Sequence, residues 1–266
     1  MFHLISRFLQ SWRRNQRMTE FIIDTKKYPK PRSRHHNAAN VYFPLDKLAT
    51  IPRYYPPLIE QINWNDFFAD GMPPSVLDIG CGWGSFMMSY AINNPESNIL
   101  GIEIRHLLTE WINTIIHGES IPNAHALWYS LPNGLHFLAN ESIHEFFSFF
   151  PDPWVKKKHY KRRAFTEELI QECVRLSKHD AQFRIMTDVP EVADYQLALL
   201  GDHPSFVMEY AEYCGEHDLT WKDTLSGISL QEYNADMWSL PMTDQEVFSR
   251  KKHIPYLRVS YRIQKI

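Results

Sequence analysis

The sequence predicts an α/β protein whose mainly parallel β-sheet is covered by helices on both faces. From about residue 75 onward, short apolar segments alternate with segments whose apolar residues recur at helical spacing. The first pattern is typical of buried strands and the second of helices. Strands joined by helical crossovers run parallel, and the crossovers cover both faces of the sheet. A chain of 266 residues is long enough to bury such a core without metal or disulfide support.

Seven strands and four helices are predicted from these patterns. The first strand, 75–79, is apolar and ends in glycines, and 85–93 has apolar residues at helical spacing. Helix 166–177 has two glutamates in its first turn, where the helix dipole favours them. The last strand, 256–263, alternates apolar and polar residues. The other predicted elements are strands 99–103, 124–128, 145–150, 182–187 and 205–209 and helices 107–117 and 192–200.

The chain divides into an N-terminal extension and one α/β domain. Residues 1–57 form a basic extension and an extended lead-in, because the part from 24 to 57 contains six prolines. Residues 58–266 form the domain, with a polar, irregular insertion expected at about 210–241. The first twelve residues place apolar side chains at helical spacing, a pattern that suits a membrane-surface helix, an organelle presequence, a lid or an RNA-contacting helix.

Positive charge is concentrated in two stretches, although the whole chain has a net charge of −3. Residues 1–36 contain nine Lys or Arg against two acidic residues, a local net charge of +7. Residues 156–163 contain six more Lys or Arg. Such clusters on a neutral-to-acidic protein suit a polyanionic partner, with plain solvated surface as the alternative.

Composition argues against a metal centre, a disulfide framework and a membrane span. The three cysteines, Cys81, Cys173 and Cys214, are far apart and form no CxxC pair. A reducing, cytoplasmic setting is the simplest interpretation. No uninterrupted apolar stretch approaches the roughly 20 residues that cross a bilayer.

A glycine-rich turn follows the first strand, in the segment Asp78-Ile-Gly80-Cys-Gly82-Trp-Gly84. Glycines allow a sharp turn and a close approach of the backbone to a ligand. Glu103 ends the second strand, where a carboxylate can accept hydrogen bonds from ribose hydroxyls. A dinucleotide site needs its third glycine one residue later. The G-x-G-x-G form after an acidic residue instead resembles the first motif of class I methyltransferases.

A second motif follows the fourth strand, in the segment Pro151-Asp152-Pro153-Trp154 and the basic run behind it. The prolines restrict the backbone on both sides of Asp152 and hold its carboxylate at the sheet edge. Trp154 offers a flat surface for a base or for packing, and the basic run suits phosphates. A capped strand end with a solvated helix start is the alternative.

The stretch 149–163 resembles the F-P-D-P-W-x-K-K-x-H-x-K-R-R signature of tRNA (guanine-N7)-methyltransferases. Shorter likenesses lie at 32–37, at Thr187-Asp188 and at Thr243-x-x-Glu246. The resemblance implies a Rossmann-like class I methyltransferase fold with a seven-stranded sheet, and S-adenosylmethionine as cofactor. It also implies a tRNA substrate, methylated at guanine 46 of the variable loop.

The resemblance assigns roles position by position. Asp152 would be the catalytic residue. The residues that would bind the cofactor are Asp78, Gly80, Gly82, Glu103 and Asp152. The residues that would contact the RNA are Lys156, Asp188, Thr243 and Glu246. No metal is implied, and the chain would act as a monomer or homodimer. The family's acidic residue after the third strand is absent, since Trp128, Tyr129 and Ser130 stand there.

Guanine N7 carries a lone pair and no proton, so its methylation needs alignment rather than a general base. The base becomes cationic, and the carboxylate of Asp152 can orient it and stabilise that charge. Two alternatives stay open. One is an amino-methyltransferase acting on another RNA, and the other is a non-catalytic RNA-binding relative.

Overall fold

The computed structural model describes residues 18–32, 39–154 and 162–265. The strands are β1 (Val76–Ile79), β2 (Ile99–Glu103), β3 (Ala124–Trp128), β4 (Ile143–Phe149), β5 (Ser177–Thr187), β6 (Phe206–Cys214) and β7 (Tyr256–Ile263). The helices are α1 (Ser85–Asn93), α2 (His106–Gly118), α3 (Glu167–Leu176), α4 (Pro190–Gly201), α5 (Lys222–Ser226) and α6 (Asp244–Lys252). Short 3-10 turns include Ala39–Tyr42 and Leu131–Asn133.

The seven strands form one sheet in the order β3-β2-β1-β4-β5-β7-β6. Strands β1 to β5 are parallel, and β7 runs antiparallel between β5 and β6. The strand order turns around at β1, so the loops after β1 and β4 diverge and leave a crevice at their carboxyl ends. The predicted Rossmann-like, mainly parallel seven-stranded sheet is confirmed.

Successive strand residues point to opposite faces of the sheet and build two cores. Val76 of β1 and Phe147 of β4 are buried in one cluster with residues of α1 and α2. Leu77 and Phe146, their neighbours in sequence, are buried on the other face with residues of α3 and α4. Helices therefore cover both faces, as the alternating pattern predicts.

The described part of the N-terminal extension packs on the domain. The backbone N–H of Phe21 donates to Ser89 Oγ on α1 (2.9 Å), and the Tyr28 hydroxyl donates to Glu119 Oε1 just beyond α2 (2.8 Å). Thus 18–32 lies along two helices of one face. The domain boundary at residue 57 stays a prediction.

Two strands extend by five residues beyond their predicted bounds. The expected strand 182–187 begins at Ser177, which pairs with Ile143 ahead of a register irregularity. The expected strand 205–209 continues to Cys214, so the first residues of the predicted irregular insertion belong to β6. Cross-strand ion pairs explain the polar pattern of β6, since Glu212 lies opposite Arg258 and their side chains are 3.1 Å apart.

Helices α5 and α6 lie where no element was predicted. Helix α5 falls inside the insertion, and α6 has almost no apolar face, since its buried residues are Glu246 and Ser249. Hydrophobic periodicity could not reveal such a helix.

Candidate active site

A cavity of about 510 Å³ opens at the carboxyl ends of β1, β2, β4 and β5. Much of its wall comes from the loops that follow these strands and from the N-terminus of α6. The main lining stretches are 78–83, 102–105, 148–154, 188–189 and 243–245. Ligands bind at this end of open α/β sheets, and the volume suits a nucleoside-sized molecule. The two motifs singled out in the sequence therefore meet in one cavity.

The backbone of the glycine turn forms part of the cavity wall. Gly80 and Gly82 have φ of 80° and 57°, which lie in the left-handed region that residues with a Cβ rarely adopt. The N–H of Gly80 donates to the carbonyl of Ile102 (2.9 Å), which ties the turn to β2. A Cβ on Gly80 would meet no atom within 4 Å, so the turn leaves open space in which a ligand can approach the backbone.

Asp78 is a buried carboxyl group at the end of β1, with 3% of its surface exposed. Burial raises its pKa to about 8, and the nearby charge of Glu103 contributes to the increase. A buried carboxyl group has lost the hydration that stabilises its ionised form. A cationic ligand beside it stabilises that form instead. Asp78 therefore fits the ammonium or sulfonium group of the expected cofactor.

Glu103 is held by Arg105, a residue that the sequence interpretation missed. Arg105 Nε donates to Glu103 Oε1 (2.9 Å) and Arg105 Nη2 donates to Oε2 (2.8 Å). The backbone N–H of Arg105 also donates to Oε1 (3.0 Å). Both side chains line the cavity. In the sequence, the only indication of this arrangement is that Glu103 and Arg105 are two positions apart.

Tyr129 stands directly after β3, where the family that the sequence resembles has an acidic residue. Its neighbours are engaged elsewhere, since Trp128 Nε1 donates to the carbonyl of Ile104 (3.0 Å) and Ser130 Oγ donates to that of Val41 (2.7 Å). Tyr129 is 2% exposed and lines the cavity together with Leu131. These two side chains offer an apolar surface to a flat base.

The segment after β4 is strained on both sides of Asp152. Phe150 and Trp154 have φ of 48° and 36°, a costly conformation for bulky residues that is found at functional sites. Asp152 is exposed at the cavity wall, and the hydroxyl of Tyr42 donates to its Oδ2 (3.3 Å). The Trp154 ring lies edge-to-face with Tyr42, so Trp154 is packed in place.

The N-terminus of α6 connects the cofactor side of the cavity with β5. Ser85 Oγ, at the start of α1, donates to Asp244 Oδ2. Gln245 Nε2 donates to Asp188 Oδ2 (2.8 Å), just after β5. Asp188 and Thr243, both predicted to contact RNA, thus line the same cavity as Asp78 and Asp152.

Residues 72–227 match a family model described as "Putative methyltransferase", which covers more than half of the chain. A tRNA (guanine-N(7)-)-methyltransferase of Thermosynechococcus vestitus is 33% identical over 145 residues, which are 54% of this chain and 68% of that protein. An enzyme of the same name from Synechococcus elongatus is 33% identical over 168 residues, or 59% of this chain and 76% of that protein. The chain belongs to the tRNA (guanine-N7)-methyltransferase family. The resemblance carried by the sequence signature is confirmed.

Solved methyltransferases are more distant from this family member. The 16S rRNA methyltransferase KamB has a TM-score of 0.48 at 14% identity, over 73% of this chain and 89% of that chain. A SAM-dependent methyltransferase of Aquifex aeolicus has a TM-score of 0.46 at 12% identity, over 71% of this chain and 82% of that one.

Glu246 of this methyltransferase forms buried hydrogen bonds and an ion pair that the sequence did not predict. Thr243 Oγ1 accepts from the Glu246 N–H (3.0 Å), while Glu246 Oε2 accepts from the Thr243 N–H (2.9 Å), which is a capping box. Glu246 Oε1 also lies 2.5 Å from Arg258 Nη2 in a buried ion pair. Glu246 is 1% exposed and does not line the cavity. Its contact with substrate stays a prediction.

Lys156, the remaining predicted RNA-binding residue, lies outside the described residues. Arg162, near the end of the same basic run, lines the cavity with its guanidinium carbon 5.1 Å from the centre of the Trp154 ring. The next residue, Arg163, is 7% exposed and lies over the ring of Tyr195 at 4.4 Å. One end of the basic run thus lies at the cavity.

Within 18–32, 39–154 and 162–265, His, Cys, Asp and Glu form no cluster that could hold a metal ion. In the same part of the chain, no helix combines the length and apolar character needed to cross a bilayer.

Proposed function

We propose that the protein transfers a methyl group from S-adenosylmethionine to N7 of a guanine in tRNA, at position 46 of the variable loop. The observation that carries this proposal is the shared cavity, which is lined by Asp78 and Glu103 from the cofactor motif and by Asp152 from the family signature. Membership of the family supports the same substrate class.

The cofactor would be held by residues that suit its chemistry. Asp78 would face a cationic group of the methionine part, Glu103 would accept from ribose hydroxyls, and the turn at Gly80 and Gly82 would allow close approach. Tyr129 and Leu131 would flank the adenine. When bound, S-adenosylmethionine supplies an electrophilic methyl group and leaves as a neutral thioether.

The protein's own contribution is alignment and electrostatic stabilisation. N7 needs no deprotonation, so the rate depends on how well the base is held toward the cavity. Asp152 would orient the guanine through the N1 and N2 donors and stabilise the positive charge that the base acquires. In A-form RNA the deep groove hides N7, so the target guanine must be unstacked or in an open loop.

The RNA would be held at the rim of the same cavity. The residues proposed to contact it are Lys156, Asp188, Thr243 and Glu246. Lys156 would bind phosphate, and Asp188 and Thr243 lie on the cavity wall. The enzyme would need no metal, would act in the cytoplasm, and would be a monomer or a homodimer.

The test is product analysis with unmodified tRNA transcripts. We expect the purified chain and S-adenosylmethionine to produce 7-methylguanosine, identified by mass spectrometry of the digested RNA, and a transcript carrying adenine at position 46 to stay unmodified. Methylation of an adenine N6 would instead support the amino-methyltransferase alternative. Cofactor binding without any methylated product would support a non-catalytic relative.

A further inference from the structure

The lead-in before the domain contacts the segment after β4 that contains Asp152 and Trp154. Val41, Tyr42 and Tyr55 form a small buried cluster against which Ile104 and Trp154 pack. The carbonyl of Val41 accepts from Ser130 Oγ. Tyr42 of this cluster lines the cavity, so the lead-in contributes a fixed residue to the cavity wall.

Tyr42 presents two different surfaces to the signature segment. Its hydroxyl donates to Asp152 Oδ2 at 3.3 Å, and its ring centre is 5.4 Å from that of Trp154 at an interplanar angle of 77°. Tyr42 is only 8% exposed, so its ring has little freedom to turn away. The Tyr42 hydroxyl thus contacts Asp152, and the Tyr42 ring contacts Trp154.

We infer that Tyr42 is a positioning residue, whose hydroxyl orients the exposed carboxylate of Asp152 for methyl transfer; this rests on the proposed function. A phenol hydroxyl suits the task because it is a neutral donor. It can fix the direction of a carboxylate without cancelling the negative charge that the cationic methylated guanine requires. A lysine or arginine at this place would supply a donor and remove that charge.

The alternative for Tyr42 is that only its ring matters, as a support for Trp154. The two roles separate in the variants Tyr42→Phe, which keeps the ring, and Tyr42→Ala, which removes both. Tyr55→Phe is the matched control, since this tyrosine of the same cluster donates to the Phe43 carbonyl (2.7 Å) and does not line the cavity.

The test is single-turnover methylation of unmodified tRNA by the full chain, with cofactor and tRNA affinities measured beside it. We expect Tyr42→Phe to slow the reaction about tenfold, the scale for losing a hydrogen bond to a charged group. Both affinities should stay within about twofold, and Tyr55→Phe should react within about twofold of the parent. Tyr42→Ala should be slower still.

A double-mutant cycle with Asp152→Asn decides how Tyr42 acts. If Tyr42 works through Asp152, adding Tyr42→Phe to Asp152→Asn should slow the reaction no further. Equal slowing in both backgrounds, or a parental rate in Tyr42→Phe, would overturn the inference while leaving the proposed function intact. A parent that forms no 7-methylguanosine would overturn the proposed function, and the role of Tyr42 with it.

Discussion

The guanidinium of Arg105 holds the carboxylate of Glu103 through two hydrogen bonds, Nε to Oε1 at 2.9 Å and Nη2 to Oε2 at 2.8 Å. The side chains are 18% and 6% exposed. A carboxylate has about four acceptor positions. Arg105 occupies three of them, because its backbone N–H also donates to Oε1, so one position on Oε2 is left for a ribose hydroxyl. The pair fixes the Glu103 carboxylate in the absence of a ligand.

Glu103→Ala should weaken binding of S-adenosylmethionine and its demethylated product by about 1–3 kcal/mol, because the substitution removes hydrogen bonds to a charged acceptor. Isothermal calorimetry measures the change. Glu110→Ala is the matched control, since Glu110 is an exposed glutamate on α2 that lies 3.6 Å from His106. Unchanged affinity in Glu103→Ala would remove this residue from the site, and stronger binding of NAD would contradict the cofactor assignment.

Cofactor binding should release a proton near neutral pH. Burial holds the pKa of Asp78 at about 8, so in the free protein this carboxyl group is mostly protonated below that pH. A bound cation favours the ionised form and lowers the pKa, so the proton leaves on binding. Affinity should therefore rise with pH up to about 8 and then level off.

Calorimetry in buffers of different ionisation enthalpy measures this proton release. Asp78→Asn should abolish both the release and the pH dependence below pH 8, and should weaken binding at pH 8. Binding that is independent of pH and of buffer would show that the ionisation of Asp78 does not change when the ligand binds.

The capping box of α6 should support stability. Thr243→Ala should lower the free energy of unfolding by about 1 kcal/mol, the usual cost of removing an N-cap. Glu246→Ala should lower it by more, about 3 kcal/mol, because Arg258 loses one of its two carboxylate partners and keeps Glu212. Urea unfolding measures both.

Glu191→Ala is the control for these variants, since Glu191 is an exposed acidic residue in the first turn of α4. At temperatures well below unfolding, Glu246→Ala should methylate tRNA more slowly while cofactor affinity stays near parental. Parental stability in Glu246→Ala would contradict the structural role, and equal loss of cofactor affinity and rate would contradict the substrate role.

The basic run should set the salt dependence of tRNA binding. Removing one Lys or Arg that binds a phosphate should reduce the slope of log affinity against log salt by about 0.7–0.9. Replacing Lys156 and Lys157 with Ala should therefore flatten the slope. The matched control replaces Lys251 and Lys252, two exposed residues at the end of α6. A slope equal to the parent's in the Lys156 and Lys157 variant would make the run ordinary solvated surface.

Three strands could be predicted to the residue. The bounds of β2 and β3 follow from short apolar segments, and those of β7 follow from its alternation of apolar and polar residues. The end of β6 could not be predicted in this way, because Glu209 and Glu212 are neutralised by Arg262 and Arg258 of the neighbouring strand. Because of such cross-strand ion pairs, a strand inside a sheet can have as many charged residues as a solvated insertion, and its sequence does not distinguish the two.

The candidate site was predictable only where motifs carry it. Asp78 and Asp152 follow directly from short motifs, whereas Tyr42 meets Asp152 across 110 positions of sequence, a contact that only the fold creates. Thr243 and Glu246 had a second meaning in the sequence, because T-x-x-E is also the signature of a helix N-terminus. That signature could have predicted α6.

The most direct test of the catalytic role of Asp152 is the single-turnover rate of Asp152→Asn on unmodified tRNA, with 7-methylguanosine measured by mass spectrometry. The substitution keeps the shape of the side chain and removes its charge, so the fold and tRNA binding should survive. We expect a rate at least about 100-fold below the parent, the scale for losing one preorganised electrostatic group. A rate close to that of the parent would contradict the assignment of Asp152 as the catalytic carboxylate.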